Sequence, residues 1–184
     1  NVTKGMLLRY DALGEEWGTL PYRSRIMAGE QLACPEPLDA LFTISKTDCE
    51  VTCIGGVLAS FEPPKPPEAF SLNLKQGKVV FARAESESED PVQNVVFTVV
   101  IGTDVLRFEL DPNTRCGLEV HPKLSEQFEQ SPGPNWYQGR LWVDAGTVRL
   151  RDRTKSPVVI AARQALDLTP NQVAADQPQP APAM

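Results

Sequence analysis

The side chains in this chain best suited to nucleophilic, acid–base or metal chemistry are one histidine, His121, and four cysteines, Cys34, Cys49, Cys53 and Cys116. A catalytic histidine needs a nucleophile to activate and a carboxylate to orient it. No Gly-x-Ser-x-Gly elbow or comparable motif supplies the nucleophile. His121, followed by Pro122 at the end of an alternating segment, reads as a surface residue. Cys49 and Cys53 form a single C-x-x-x-C pair, which with one histidine is not the ligand pattern of a structural zinc site. Extended, that pair would stand about 13 Å apart at roughly 3.3 Å per residue, beyond the ~7 Å reach of a disulfide. Any bridge would have to run to Cys34 or Cys116. The other reading, that the thiols are small buried hydrophobes, stays open beside it.

Carboxylates are no more specific. The run from Glu85 to Asp90 alternates Ser and Glu without the Gly-punctuated spacing of a Ca²⁺ loop, and reads as a solvated hairpin tip. Glu15, Glu16 and Asp144 could act in glycoside hydrolysis only if folding brought two of them face to face. Gly55-Gly56 is isolated and precedes no Gly-Lys-Ser/Thr, so there is no phosphate cradle. Aromatics are the better candidates. Trp136 and Tyr137 follow a Pro-Gly-Pro turn, and with Trp142 they could present a platform for a sugar or a protein partner. The competing reading packs Trp142 in the core, with Trp17 and the Trp136–Tyr137 pair covering its ends. No cofactor is expected, and the chain does not read as an enzyme.

With 184 residues the chain can bury a core without staples. A net charge of −6 and a pI near 4.9 leave no electrostatic footprint for nucleic acid, and argue against direct binding to an anionic membrane. No apolar run approaches the roughly 20 residues of a membrane-spanning helix. The start at Asn1 has neither a basic region nor an apolar stretch of leader type, so the chain reads as a mature product or a piece of something longer. Residues 1–168 are expected to form one domain. Residues 169–184, rich in Pro, Ala and Gln, read as a linker or disordered tail.

Strand signals dominate the first 168 residues. Met6, Leu8 and Tyr10 alternate with Leu7 and Arg9, and Gly14 to Pro21 then breaks the chain. Leu38–Ile44 and Cys49–Val57 predict a hairpin around a four-residue loop. That loop sets Ile44 opposite Cys49, Phe42 opposite Val51 and Ala40 opposite Cys53 on one core face. The prolines between Phe61 and Glu68 exclude a sheet interior. Phe70, Leu72 and Leu74 lead through a turn at Lys75–Gly77 to Val79–Phe81. Val95–Ile101, apolar on both faces, predicts a central strand. Leu106, Phe108 and Leu110 share a face. Cys116–Val120, Leu141–Val143, a turn at Asp144–Gly146, Val148 with Leu150, and a last strand Val158–Ala161 complete the set. The fold class is all-β, as a two-layer β-sandwich or a twisted β-solenoid-like domain. One phrase occurs at both ends, Ile26-Met-Ala-Gly-Glu-Gln-Leu32 and Ile160-Ala-Ala-Arg-Gln-Ala-Leu166, as if opening and closing a single module.

The ordered series Ser24–Leu32, Leu38–Ile44, Cys49–Cys53, Phe70–Phe81, Val143–Leu150 and Ser156–Leu166 resembles a FecR-type domain, over roughly residues 5 to 168. Val143–Leu150 is similar to the family's late hairpin. The family usually carries Gly where Ala162 or Arg163 sits, and the Gly102-Thr-Asp-Val-Leu-Arg-Phe108 segment echoes its mid-domain strand only in part. The resemblance implies a non-catalytic extracytoplasmic, periplasmic sensor module of a membrane-anchored bacterial regulator, often an anti-sigma factor. Such a module meets a protein partner of the cell envelope. The alternative expectation is a jelly-roll carbohydrate-binding module, with Trp136, Tyr137 and Trp142 as its platform.

Overall fold

The structure, a computed structural model, describes residues 2–45, 47–84, 94–123, 137–152, 157–170 and 178–180. The acidic run Glu85–Asp90, Trp136 and most of the C-terminal segment lie outside the described residues. Among the described residues there is no helix, and the all-β expectation holds.

The first hairpin forms as its loop length dictates. Strands β5 (Asp39–Thr43) and β6 (Cys49–Glu62) pair with Phe42 opposite Val51 and Ala40 opposite Cys53. The Ile44 N–H closes the loop on the Cys49 carbonyl at 3.0 Å. Ala40, Phe42, Cys49, Val51 and Cys53 are all buried, whereas Glu50 on the other face is exposed. Period-two alternation, set in register by a four-residue loop, accounts for the whole unit.

Beyond Ile54 the expectation needs correcting. β6 does not stop at Val57, and Lys75–Gly77 is not a turn. β6 runs unbroken to Glu62, and β7 spans Phe70–Arg83. Their pairing shifts register between Ile54 and Leu58 and again between Leu58 and Ala59, where β7 carries the extra residue. Gly77 sits at the first shift with φ +97°, and a Cβ on it would lie 2.6 Å from Val57 Cα. A residue with a side chain cannot pass that point, so glycine permits a bulge that bends two long strands together. Along β7 the most deeply buried positions change from even (Phe70, Leu72, Leu74) to odd (Val79, Phe81, Arg83) across the bulge, with Ser71 and Val80 of the other face also covered.

The bent ribbon belongs to two layers. Its Cys49–Ile54 and Lys78–Arg83 half continues into β5 and β1 (Val2–Gly5) on one side. On the other side come β10 (Arg115–Pro122), β11 (Tyr137–Ala145), β14 (Gln164–Leu168) and β15 (Gln179–Pro180). The other half pairs with β4 (Gln31–Cys34), then β2 (Leu8–Asp11) and β3 (Glu16–Thr19). Its opposite edge continues through β8 (Val95–Ile101), β9 (Asp104–Leu110), β12 (Thr147–Asp152) and β13 (Val158–Ala161). β8 lies between β7 and β9, as expected of a central strand, and its pairing with β7 is the parallel one. Phe81 of the first layer meets Phe97 of the second at 4.6 Å, and Phe97 stacks on Phe70 at 4.5 Å and on Phe108 at 5.0 Å. One apolar core therefore lies between the layers, which is the sandwich arrangement.

The Gly146 segment also differs from expectation. β11 and β12 are consecutive but do not pair: β11 lies between β10 and β14, and β12 between β9 and β13. Val143–Leu150 is thus an arch between layers, not a hairpin. The segment from 14 to 21 holds β3, and Gln179–Pro180 of the C-terminal segment pairs with β14.

The repeated phrase folds the same way twice. Gly29 and Arg163 occupy equivalent places, with φ of +87° and +65°. The Gly29 N–H donates to the Phe61 carbonyl and the Arg163 N–H to the Val143 carbonyl, each at 2.7 Å. The side chain of Glu30 accepts from the Met27 N–H, and that of Gln164 from the Ala161 N–H, each at 2.9 Å. Leu32 and Leu166 then turn into the core. One copy launches β4 in the second layer and the other launches β14 in the first.

Candidate functional site

β11 carries two of the three aromatics expected to form a platform, and strand periodicity puts them on opposite faces. Tyr137, Leu141 and Val143 point into the core, and Tyr137 is fully buried. Its hydroxyl donates to Asp104 Oδ2 at 2.6 Å, across the gap between layers. Trp142 faces outward and is half-buried. Directly opposite on β10 is Gly117, where a Cβ would overlap the indole at Cζ2, so the missing side chain lets the ring lie down on the sheet. Lys78 Nζ sits 4.6 Å from the ring centroid, a cation–π contact that occupies the indole. Tyr137 and Trp142 therefore share no surface. The expectation that Trp142 packs in the core fails for the same reason: its neighbours Leu141 and Val143 fill the inward positions.

The titratable candidates are scattered. His121 is exposed on β10, with Nε2 3.2 Å from Glu119 Oε1, two residues back on the same face. Glu15 and Glu16 lie at the exposed end of the β2–β3 ribbon in one layer. Asp144 lies in the other and meets Arg115 at 3.6 Å. All four cysteines are buried free thiols. Cys34 Sγ donates to the Leu38 carbonyl at 3.4 Å and the Cys53 carbonyl at 3.7 Å. Burial pushes the Cys49 thiol up to about 11, against the opposing pull of the Thr47 hydrogen bond and nearby Arg83. Burial drives Cys53 and Cys116 further in the same direction, with smaller contributions from Cys34 and Cys49 respectively. Such thiols are poor nucleophiles and poor metal ligands. Among the described residues no three His, Cys, Asp or Glu side chains come together as a metal site.

Two surface features stand apart from the sequence reading, which set Trp17 over an end of the core; it is instead 42% exposed. A cleft of about 490 Å³ opens at one end of the sandwich, between the first copy of the repeated phrase (Ile26, Met27) and Phe42, Ile44, Phe61 and Phe70. The β2–β3 ribbon carries a second aromatic pair, Tyr10 and Trp17, with ring centroids 5.4 Å apart. Apart from Val159, every large apolar side chain exposed among the described residues falls between Met6 and Ile54. The outward position of Trp142 was readable in principle. Residues 137, 139, 141 and 143 read Tyr, Gly, Leu and Val, against Gln, Arg, Trp and Asp between and after them.

No protein-family profile matches this chain, and no curated protein matches it.

Proposed function

We propose that the chain is a non-catalytic protein-interaction module, the extracytoplasmic sensing part of a membrane-anchored bacterial regulator of the FecR, anti-sigma type. The observation that carries the interaction role is the ring pair Tyr10–Trp17 on the β2–β3 ribbon, with Trp17 42% exposed, in a first third of the chain that also exposes Met6, Leu13, Tyr22, Met27, Leu38 and Ile54. Tyr and Trp are enriched at protein contact surfaces relative to the rest of the surface. The FecR reading is supported by the left-handed turn at Arg163, a conformation that suits the glycine the family usually carries at this position or at Ala162. The partner in this reading is a protein of the envelope.

The test is to present the immobilised module to fractionated envelope proteins and, in parallel, to a panel of soluble glycans, with iodide quenching of tryptophan emission as the readout. Saturable binding to a single protein without any glycan response supports the reading. A glycan that protects Trp142 from iodide would replace it with the carbohydrate-binding one.

A further inference from the structure

The β2–β3 ribbon is the least covered part of the sandwich. β3 hydrogen-bonds only to β2 among the described residues, and all four of its residues are exposed. β2 meets β4 through two register pairs, Leu8 with Ala33 and Arg9 with Leu32, so its outer end projects beyond the sheet. The outer edge of β3 therefore presents backbone N–H and C=O groups that no strand among the described residues receives. Proteins usually shorten, charge or cover such an edge.

Side chains on the ribbon add a pattern to that edge. Tyr10 lies directly opposite Trp17, which is 42% exposed. The next pair on the same face, Leu8 and Thr19, continues through Ala33 of β4 to Leu58 of β6, a row of mostly apolar residues on the outside of the layer. Asp11, Glu15 and Glu16 make the tip acidic. The ribbon's one cation, Arg9, is already held by Glu30 at 3.0 Å.

We propose that β3 is a strand-addition site for an extended, basic segment of a partner protein. This deepens the protein-interaction reading above and rests on it. An antiparallel segment would place a basic residue opposite Glu16, a β-branched or aromatic residue opposite Trp17, a small one opposite Gly18 and a β-branched one opposite Thr19. Those are the cross-strand pairs that stabilise a sheet, with main-chain hydrogen bonds supplying affinity. A second copy of this chain is the poorer occupant: symmetric pairing about Trp17 sets Glu16 against Gly18 and Glu15 against Thr19, leaving the acids without cations.

The probe is the blocked peptide acetyl-Thr-Val-Ser-Ile-Lys-Lys-amide, titrated to millimolar concentration into the isotope-labelled protein. The expected result is saturable shifts at the amides of residues 16–19 and at the Trp17 indole. Replacing the two lysines with glutamates should weaken binding about tenfold. In the exposed charge reversal Glu16→Lys that preference should largely disappear. The proposal is overturned by the absence of saturable shifts at β3, by equal affinity for both peptides, or by a concentration-dependent dimer that protects Trp17 without peptide. Binding of an envelope protein with β3 silent would remove this surface alone. A glycan response with β3 silent would remove the interaction reading as a whole.

Discussion

The Tyr137 hydroxyl and Asp104 Oδ2, at 2.6 Å, tie the start of β11 in one layer to the start of β9 in the other. Tyr137 is fully buried, so its phenol has exchanged water for this carboxylate. Tyr137→Phe keeps the packing and removes the bond. A hydrogen bond to a charged group is worth about 1.5–3 kcal/mol, and the urea midpoint should fall accordingly. An unchanged midpoint would mean that the link contributes nothing to joining the layers.

Gly117 and Trp142 make a second pair open to test. Gly117→Ala forces the indole off the sheet, with an overpacking cost of about 1–3 kcal/mol. Trp142→Leu should recover much of that loss in the double variant, giving a coupling energy that independent sites would not show. Additive losses would contradict the stacked geometry.

The equivalent turns give a matched comparison. Arg163 pays the left-handed cost that Gly29 avoids, so Arg163→Gly should raise stability, by no more than about 1 kcal/mol after the entropy of glycine is counted. Gly29→Ala should lower it by about 1 kcal/mol. No atom lies within 4 Å of an added Cβ at Gly29, so that loss would be a backbone effect alone. Thermal melts of both variants decide the point, and opposite signs are the expected outcome.

Buried thiols make stability depend on alkaline pH. Each titrates higher in the folded chain than in the unfolded one, where the thiol pKa is about 8.5. The stability they contribute is complete below that value and is lost as pH rises, for Cys49 through about 11. The unfolding free energy from denaturant titration should therefore fall from about pH 9 upward, by as much as ~1.4 kcal/mol per pH unit for each thiol. Cys53→Ala should flatten the slope. Native protein should also resist alkylation at neutral pH. A flat profile, or fast modification of the native state, would show that the thiols are not sequestered.

Some of this architecture is legible in the residues and some is not, for identifiable reasons. The β5–β6 hairpin is legible because a four-residue loop and an alternating face leave one register. The bend at Gly77 is not, because turns and bulges both ask glycine for positive φ. What distinguishes them here is Val57, brought alongside by the pairing itself. Gly146 misleads in the same way: its local signal is that of a hairpin turn, and only the pairing of β12 with β9 makes it an arch. For the candidate site, alternation along β11 separates Tyr137 from Trp142 without any structure. The β2–β3 edge has no local signal, since the exposure of a strand depends on which neighbours it fails to find.

The ribbon of β6 and β7 has a consequence for cooperativity. In any sandwich the two layers share one core and depend on each other. Here the same two strands are central to both, and Gly77 is the point where each layer becomes the other. Neither layer has an independent unfolded state open to it. The slowest amide exchange should lie along the whole ribbon on both sides of the bulge, at the free energy of global unfolding. A ligand gripping either layer would then stabilise both, because the molecule has a single melting unit to offer.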